Sequence, residues 1–213
     1  MNYFHLLQGG HVAAVRQHKD AKWVASLDLQ RFFDQISRTK IHRSLKVIGI
    51  RHAEAWGMAC DSTVDKQPPK RRFSLPFGFV QSPILASVVL AQSALGGAIR
   101  QIMAGGVTVT VYVDDITVSG VTKEEVAEAI VQLEAGAQNA GFTFNQAKTQ
   151  PPDGRVNSFN IGFGSGAMEV LESRMAEFQI AIHNGNEFQI EGIIGYVDSV
   201  NHAQADELAD EIP

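Results

Sequence analysis

The stretch VTVTVYVDDITVSG, residues 107–120, constrains the fold more than any other part of the chain. Val107, Val109, Val111 and Val113 point one way, while Thr108, Thr110, Tyr112 and Asp114 point the other, the period-two alternation of a half-buried strand. Ile116 and Val118 continue the pattern beyond two adjacent aspartates, so the segment reads as a hairpin with Asp114 and Asp115 at its tip. A tight turn alone would account for them, because Asp tolerates the backbone angles of hairpin connections. A turn that presents charge to a metal is the other reading, and it needs a third carboxylate from elsewhere.

KWVASLD, residues 22–28, supplies it. Trp23, Ala25 and Leu27 share one face of a second strand, and Asp28 stands at its C-terminal end. Ser37 reads as an N-cap for a helix carrying Ile41, Leu45 and Ile48 up to Gly49. Residues 50–81 are irregular, with the prolines at 68 and 69 and the basic run KQPPKRR at 66–72 marking a loop or hairpin. Ser82 as N-cap and Pro83 at the first helical position open a helix to about Arg100. Its face is apolar or small nearly all round, the mark of a buried helix. Thr122 and Glu125 form a capping box for a helix through Val126, Ile130 and Leu133 that stops at Gly141. GFTFNQAKTQ predicts another short strand with Phe142 and Phe144 on one side. Beyond residue 154 the pattern is a small hairpin followed by short helices.

Strand, helix, helix, hairpin, helix, strand, with helices on one face, is an α+β arrangement of the split βαβ, ferredoxin-like kind. A chain of 213 residues with 45% hydrophobic content buries one good core. It has no apolar run near ~18 residues and no signal-peptide pattern, so no membrane partner is expected. The single cysteine, Cys60, fits a packing role and a cytoplasmic setting. The net charge of −5 argues against a general nucleic-acid binder, although the 66–72 run is locally basic. Met1 reads as a genuine start, while the acidic end leaves a longer parent protein open.

Carboxylates converging at strand ends repel one another unless a cation lies between them, and hard oxygen ligands suit Mg²⁺. Two such ions can clamp an attacking hydroxyl and a leaving phosphate oxygen, which makes phosphoryl transfer the expected chemistry.

Four segments in one order resemble the reverse transcriptase family, in particular the bacterial retron, group II intron and antiviral-defence kinds. LDLQRFFDQI resembles the first palm motif, LPFGFVQSP the second, YVDD the third and GFTFNQAKT the fourth. NSFNIGF and GIIGYVDSVN more faintly resemble the stretch joining palm to thumb. The resemblance implies a palm at 22–165, a short fingers remnant at 1–21 and a palm–thumb connection or thumb remnant at 166–213. It implies an RNA-directed DNA polymerase that uses two Mg²⁺ ions, with Mn²⁺ as an alternative, and takes dNTPs on an RNA template with a DNA or RNA primer. Asp28, Asp114 and Asp115 would bind the metals, helped by the backbone carbonyl of Leu29. Lys148 would neutralise or protonate the leaving pyrophosphate. Phe33 would lie beneath the incoming sugar and exclude a 2′-OH. Gly78 would let the backbone approach the nucleotide, with Gln81 and Tyr112 also in the nucleotide pocket. Ser82 at the helix start and Lys70, Arg71 and Arg72 in the basic loop would contact nucleic acid.

The chain departs from the family pattern in places. Phe77 stands where many members have Gln or Arg. The usual fingers are barely present, leaving Arg16, Lys19 and Lys22 as the basic residues nearest the triphosphate. A protein partner or a homo-oligomer is therefore expected to supply the missing positive surface. Two further readings compete: a polymerase on the same palm that is template-independent or makes RNA, and an inactive palm serving as a nucleic-acid-binding or assembly scaffold.

Overall fold

The computed structural model describes residues 3–66 and 71–212. After a short turn of 3₁₀-helix come α1 (Gly10–Arg16), β1 (Trp23–Asp28), α2 (Arg38–Val47) and α3 (His52–Asp61). The two-residue strands β2 (Val64–Asp65) and β3 (Phe73–Ser74) lead to α4 (Ser82–Ala91) and α5 (Ala94–Ala104). Then follow β4 (Thr108–Tyr112), β5 (Asp115–Gly120), α6 (Lys123–Ala140) and β6 (Gln150–Asp153). The chain ends with β7 (Val156–Ser158), β8 (Ile161–Gly164), β9 (Ala167–Val170), α7 (Glu172–Asn184), α8 (Glu187–Val200) and α9 (His202–Ala209).

The main sheet has the order β4-β5-β1-β6, and each neighbouring pair is antiparallel. β1 and β4 thus run the same way with β5 threaded between them, the split βαβ arrangement. Ala25, Leu27, Val109, Val111, Ile116 and Val118 pack into one core with residues from all of α2–α6. The other face is covered too. Val24 joins a second core with Val12 and Val15 of α1, Phe163 of β8, Phe178 of α7 and Val197 of α8. The strands are therefore buried on both sides rather than half-buried.

That second face carries the threonines and serines of the alternating pattern, and His18 reconciles them with burial. Its ring is fully buried, with Nε2 2.8 Å from Thr110 Oγ1 and Nδ1 2.7 Å from Ser119 Oγ. Both ring nitrogens and both hydroxyls are satisfied, as buried polar groups must be. Burial drives the His18 pKa down from 6.5 to about 3. The unfolded chain takes up this proton first, so stability falls as pH drops below 6.5 and the loss levels off near pH 3. The slope is about 1.4 kcal/mol per pH unit. In urea titrations, the stability change between pH 6.5 and 5 should differ between the native chain and His18→Gln by about 2 kcal/mol, with acidification the less favourable for the native chain.

Several elements differ from the sequence-based expectation. The single helix from 82 to about 100 is two helices, α4 and α5, bent by 67°. Ser93 makes the break: its hydroxyl donates to Leu90 O at 2.7 Å and accepts from the Gly96 N–H at 3.3 Å. A Cβ on Gly96 would lie 2.4 Å from Leu90 O and 2.6 Å from Ala91 O, so only glycine allows this approach. Gly96→Ala should destabilise the protein by about 2–3 kcal/mol, read as a lowered urea midpoint at unchanged slope. α3, which occupies part of the irregular segment, buries Ala55 and Ala59 one turn apart. The strand expected at GFTFNQAKTQ is a single bridge between Phe144 and Leu29, and the true strand, β6, begins at Gln150. Pro151 and Pro152 fit there because β6 is an edge of the sheet. The small hairpin beyond 154 is a three-stranded sheet, β7-β8-β9. Among the described residues no single helix is long and apolar enough to cross a membrane.

Candidate active site

The carboxylates come together through strand register. Asp28, the last residue of β1, pairs directly with Asp115, the first of β5, and Asp115 also pairs with Tyr112 of β4. Val113 and Asp114 are left as a two-residue turn. Asp114, expected at a strand end, is thus in the turn, and it is Asp115 that stands opposite Asp28. The Asp114 carbonyl accepts the Leu29 N–H at 2.9 Å, which draws the Leu29 backbone up to the turn.

Tight turns between twisted strands favour positive φ. Val113 meets that demand at φ 59°, a strained conformation for a β-branched residue. Arg31 (φ 48°) and Phe159 (φ 55°) are likewise left-handed, and all three line one cleft with Asp114 and Asp115. Backbone strain gathered around one cleft is a mark of a functional site.

Electrostatics point to the same place. Burial, then the charges of Asp114 and Asp28, push the Asp115 pKa up to about 7. Burial and Asp28 raise Asp114 as well. Lys148 Nζ lies 3.2 Å from Asp28 Oδ2, and this hydrogen bond and charge raise the lysine pKa. The Asn145 N–H donates to the Asp28 carbonyl at 2.8 Å and the Lys148 N–H to the Asn145 carbonyl at 3.0 Å. One turn thus fixes the lysine to the strand it serves. The Lys148 side chain is 66% exposed, against 13% for Asp28, so the ammonium reaches inward from solvent.

Among the described residues no three His, Cys, Asp or Glu side chains form a ready-made metal cage. Mg²⁺ does not require one, since it is commonly held by one or two carboxylates and leaves its other positions to water and substrate phosphates. Asp28, Asp114 and Asp115 offer the hard oxygens such an ion takes, and their mutual repulsion is what a divalent cation relieves.

The cleft encloses about 490 Å³ and is lined by Phe33, Lys66, Phe77, Tyr112 and the two aspartates of the hairpin, among others. Phe32 is buried in the core, whereas Phe33 is half-buried and meets Phe77 edge-on at 6.2 Å. Tyr112 packs against Phe159 at 5.0 Å. Other residues named from the sequence fall elsewhere. Gly78 occupies an exposed turn at φ 93° with open space around it, and neither Gly78 nor Gln81 lines the cleft. Ser82 does not cap α4. It is buried, its hydroxyl donates to Pro76 O at 2.8 Å and its N–H to Phe79 O at 3.0 Å, so its side chain is not presented to nucleic acid.

Arg71 and Arg72 are exposed before β3, and the Arg72 N–H donates to the Asp65 carboxylate at 3.1 Å. Lys70 lies outside the described residues. Arg16, Lys19 and Lys22 do not cover the cleft. Lys22 precedes β1 and so lies about 20 Å along the strand from Asp28, while the Arg16 guanidinium donates to the Ser199 carbonyl. The cations at the cleft are Arg31 and Lys66 instead, both paired with Asp34, at 3.3 and 3.2 Å. Lys66 opens the basic run 66–72 that the sequence singles out, whereas neither periodicity nor composition marks Arg31, Val113 or Phe159 as cleft residues, and the Phe159–Asn160 turn lacks the glycine that would have flagged it.

A family model described as "Reverse transcriptase (RNA-dependent DNA polymerase)" matches residues 2–153. No curated protein matches. The chain is similar to the foamy viral protease-reverse transcriptase in complex with an RNA/DNA hybrid, at 15% identity and a TM-score of 0.57 over 87% of this chain and 22% of that one. It is also similar to the telomerase of Candida albicans in complex with a telomeric RNA fragment, at 8% identity and a TM-score of 0.58 over 97% of this chain and 45% of that one. The same foamy viral enzyme with double-stranded DNA gives 18% identity and a TM-score of 0.55 over 89% and 30%. At these identities the structural likenesses speak to the fold alone, a palm-like α+β architecture. With the family match spanning most of its length and the expected motifs meeting at one end of that sheet, the chain belongs to the reverse transcriptase family.

Proposed function

We propose that the chain is the catalytic palm of an RNA-directed DNA polymerase that transfers dNTPs by two-metal-ion catalysis. The observation that carries this reading is the register that sets Asp28 opposite Asp115 with Asp114 in the adjoining turn, the two hairpin aspartates lining a cleft that Phe33 also walls. Asp28, Asp114 and the Leu29 carbonyl would hold Mg²⁺, with Asp115 as a supporting charge. When bound, the ions would lower the pKa of the primer hydroxyl and neutralise the leaving phosphate. Lys148, tied to Asp28, would neutralise the leaving pyrophosphate or give it a proton. Phe33 would close the floor beneath the sugar, and Tyr112 the wall beside it.

Residues 22–165 would form the palm, with 1–21 and 166–213 as fingers and thumb remnants. The foamy viral enzyme is seen with an RNA/DNA hybrid and with double-stranded DNA, which supports a template–primer duplex as the ligand here. The net charge of −5 supports a partner subunit or second copy that supplies positive surface. The motifs support a bacterial retron-like or antiviral-defence setting. The test is dNTP incorporation on a primed RNA in Mg²⁺. Incorporation by the native chain and its absence in Asp28→Asn support the reading, while equal signals from both would overturn it.

A further inference from the structure

A second cavity, more spacious than the catalytic cleft, adjoins it. It encloses about 880 Å³ between the β7–β8 turn, α1 and the pair α7–α8. Tyr112 and Phe159 line both spaces, so the two open onto one shared aromatic wall. On the far side of that wall His11 meets Phe159 at 5.3 Å and Tyr196 at 5.9 Å, and Tyr196 meets Phe178 at 5.7 Å. Phe188, at the start of α8, lies at the cavity with 83% of its surface exposed, an aromatic ring left to solvent on a helix that could have carried any polar residue there. Arg174 is the one cation among the described lining residues; it pairs with Glu177 and lies 4.5 Å over the Phe178 ring, so a phosphate reaching it would take the place of Glu177.

The construction of the wall points to use. Phe159 and Asn160 both adopt positive φ, 55° and 60°, in a turn with no glycine. The backbone strain holds a phenyl ring on the boundary between the catalytic cleft and the cavity, where glycine would relieve it. Rings around a pocket of this size, with one cation, form a site for a flat aromatic group that carries a phosphate. A nucleotide has that chemistry. A paired base inside a duplex hides both its faces, so only an unpaired base can stack on such rings.

We propose that this cavity holds one unpaired nucleobase of the nucleic-acid strand engaged at Asp28, Asp114 and Asp115, stacked on Phe159 and Phe188 with its phosphate towards Arg174. The inference rests on the polymerase reading for the presence of that strand. It adds that the duplex is open by at least one nucleotide on the Tyr112 side of the catalytic cleft.

Binding without turnover separates the two. Oligonucleotides carrying 2-aminopurine in an unpaired overhang, or paired within the duplex, are titrated with the protein in Ca²⁺ and no nucleotide. The overhang probe should lose most of its emission on binding, because stacking quenches it. Phe188→Ser, at an exposed position outside the catalytic cleft, should weaken overhang binding about tenfold. It should leave the affinity for the fully paired duplex within about twofold. Undiminished emission, or equal weakening of overhang and duplex, would overturn the proposal. Extension by the native chain is scored separately. Its failure with quenching intact would count against the polymerase reading and leave the base site standing.

Discussion

Replacing Asp115 by asparagine is expected to make the metal-free protein more stable while removing its activity. Asp115 lies in a half-buried position facing two other carboxylates, and its pKa is raised from 3.8 to about 7. The sign follows from proton binding. Between pH 3.8 and about 7 the folded chain holds a proton that the unfolded chain has released, so stability falls as pH rises through that window. At pH 8 the full penalty is present, and Asp115→Asn should recover about 1–3 kcal/mol of it. Below about pH 4 the gain should vanish, because both states are then protonated. Mg²⁺ added at pH 8 should raise the melting temperature of the native chain and do so less for the variant, since the ion relieves the repulsion that the substitution has already removed. Primer extension should fall by at least about 10³-fold in Asp28→Asn or Asp114→Asn, the scale of losing electrostatic stabilisation at the reacting phosphate. A variant that gains stability and loses function identifies carboxylates kept for chemistry rather than for the fold. The His18 effect has the opposite sign in an overlapping pH range, so the two single variants are needed to separate them.

Phe33→Val should relax sugar selection. The ring lies between Phe32 and Phe77 in the wall of the catalytic cleft, five positions beyond Asp28. Steric exclusion of a 2′-OH needs bulk at that wall and nothing else, so shortening the side chain should lower discrimination against ribonucleotides by about 100-fold, with a modest loss in dNTP incorporation. Steady-state ratios of kcat/KM for matched dNTP and rNTP pairs measure it. If Phe33 only fills the core, the same substitution lowers stability by about 1 kcal/mol and leaves the ratio unchanged.

These predictions rest on features of unequal legibility. The main sheet was readable because its strands alternate and its helices carry their caps. Thr122 and Glu125 form the expected capping box, and Ser37 caps α2 through the Lys40 N–H. The break at Ser93 was hidden because the apolar character runs unchanged through α4 and α5, and only three-dimensional contact shows Gly96 against the Leu90 carbonyl. β6 was misplaced because prolines argue against a strand unless it is known to be an edge. At the site, sequence placed Asp28 and the hairpin aspartates at one sheet end but could not give the register. That register depends on a turn containing Val113, a residue that disfavours the required φ. Ser82 was misjudged for a related reason: a serine before a proline looks like a cap, and nothing in the sequence shows that its hydroxyl donates to Pro76. Arg31, Lys66 and Phe159 reach the cleft through strain and tertiary contact, neither of which leaves a periodic trace.

The most direct measurement is the sequence of the product made on a primed RNA of defined sequence with dNTPs and Mg²⁺. The account predicts a DNA strand complementary to the template, absent with Asp114→Asn. A product that ignores the template, or none above the Asp114→Asn background even with a co-purifying partner present, would contradict it.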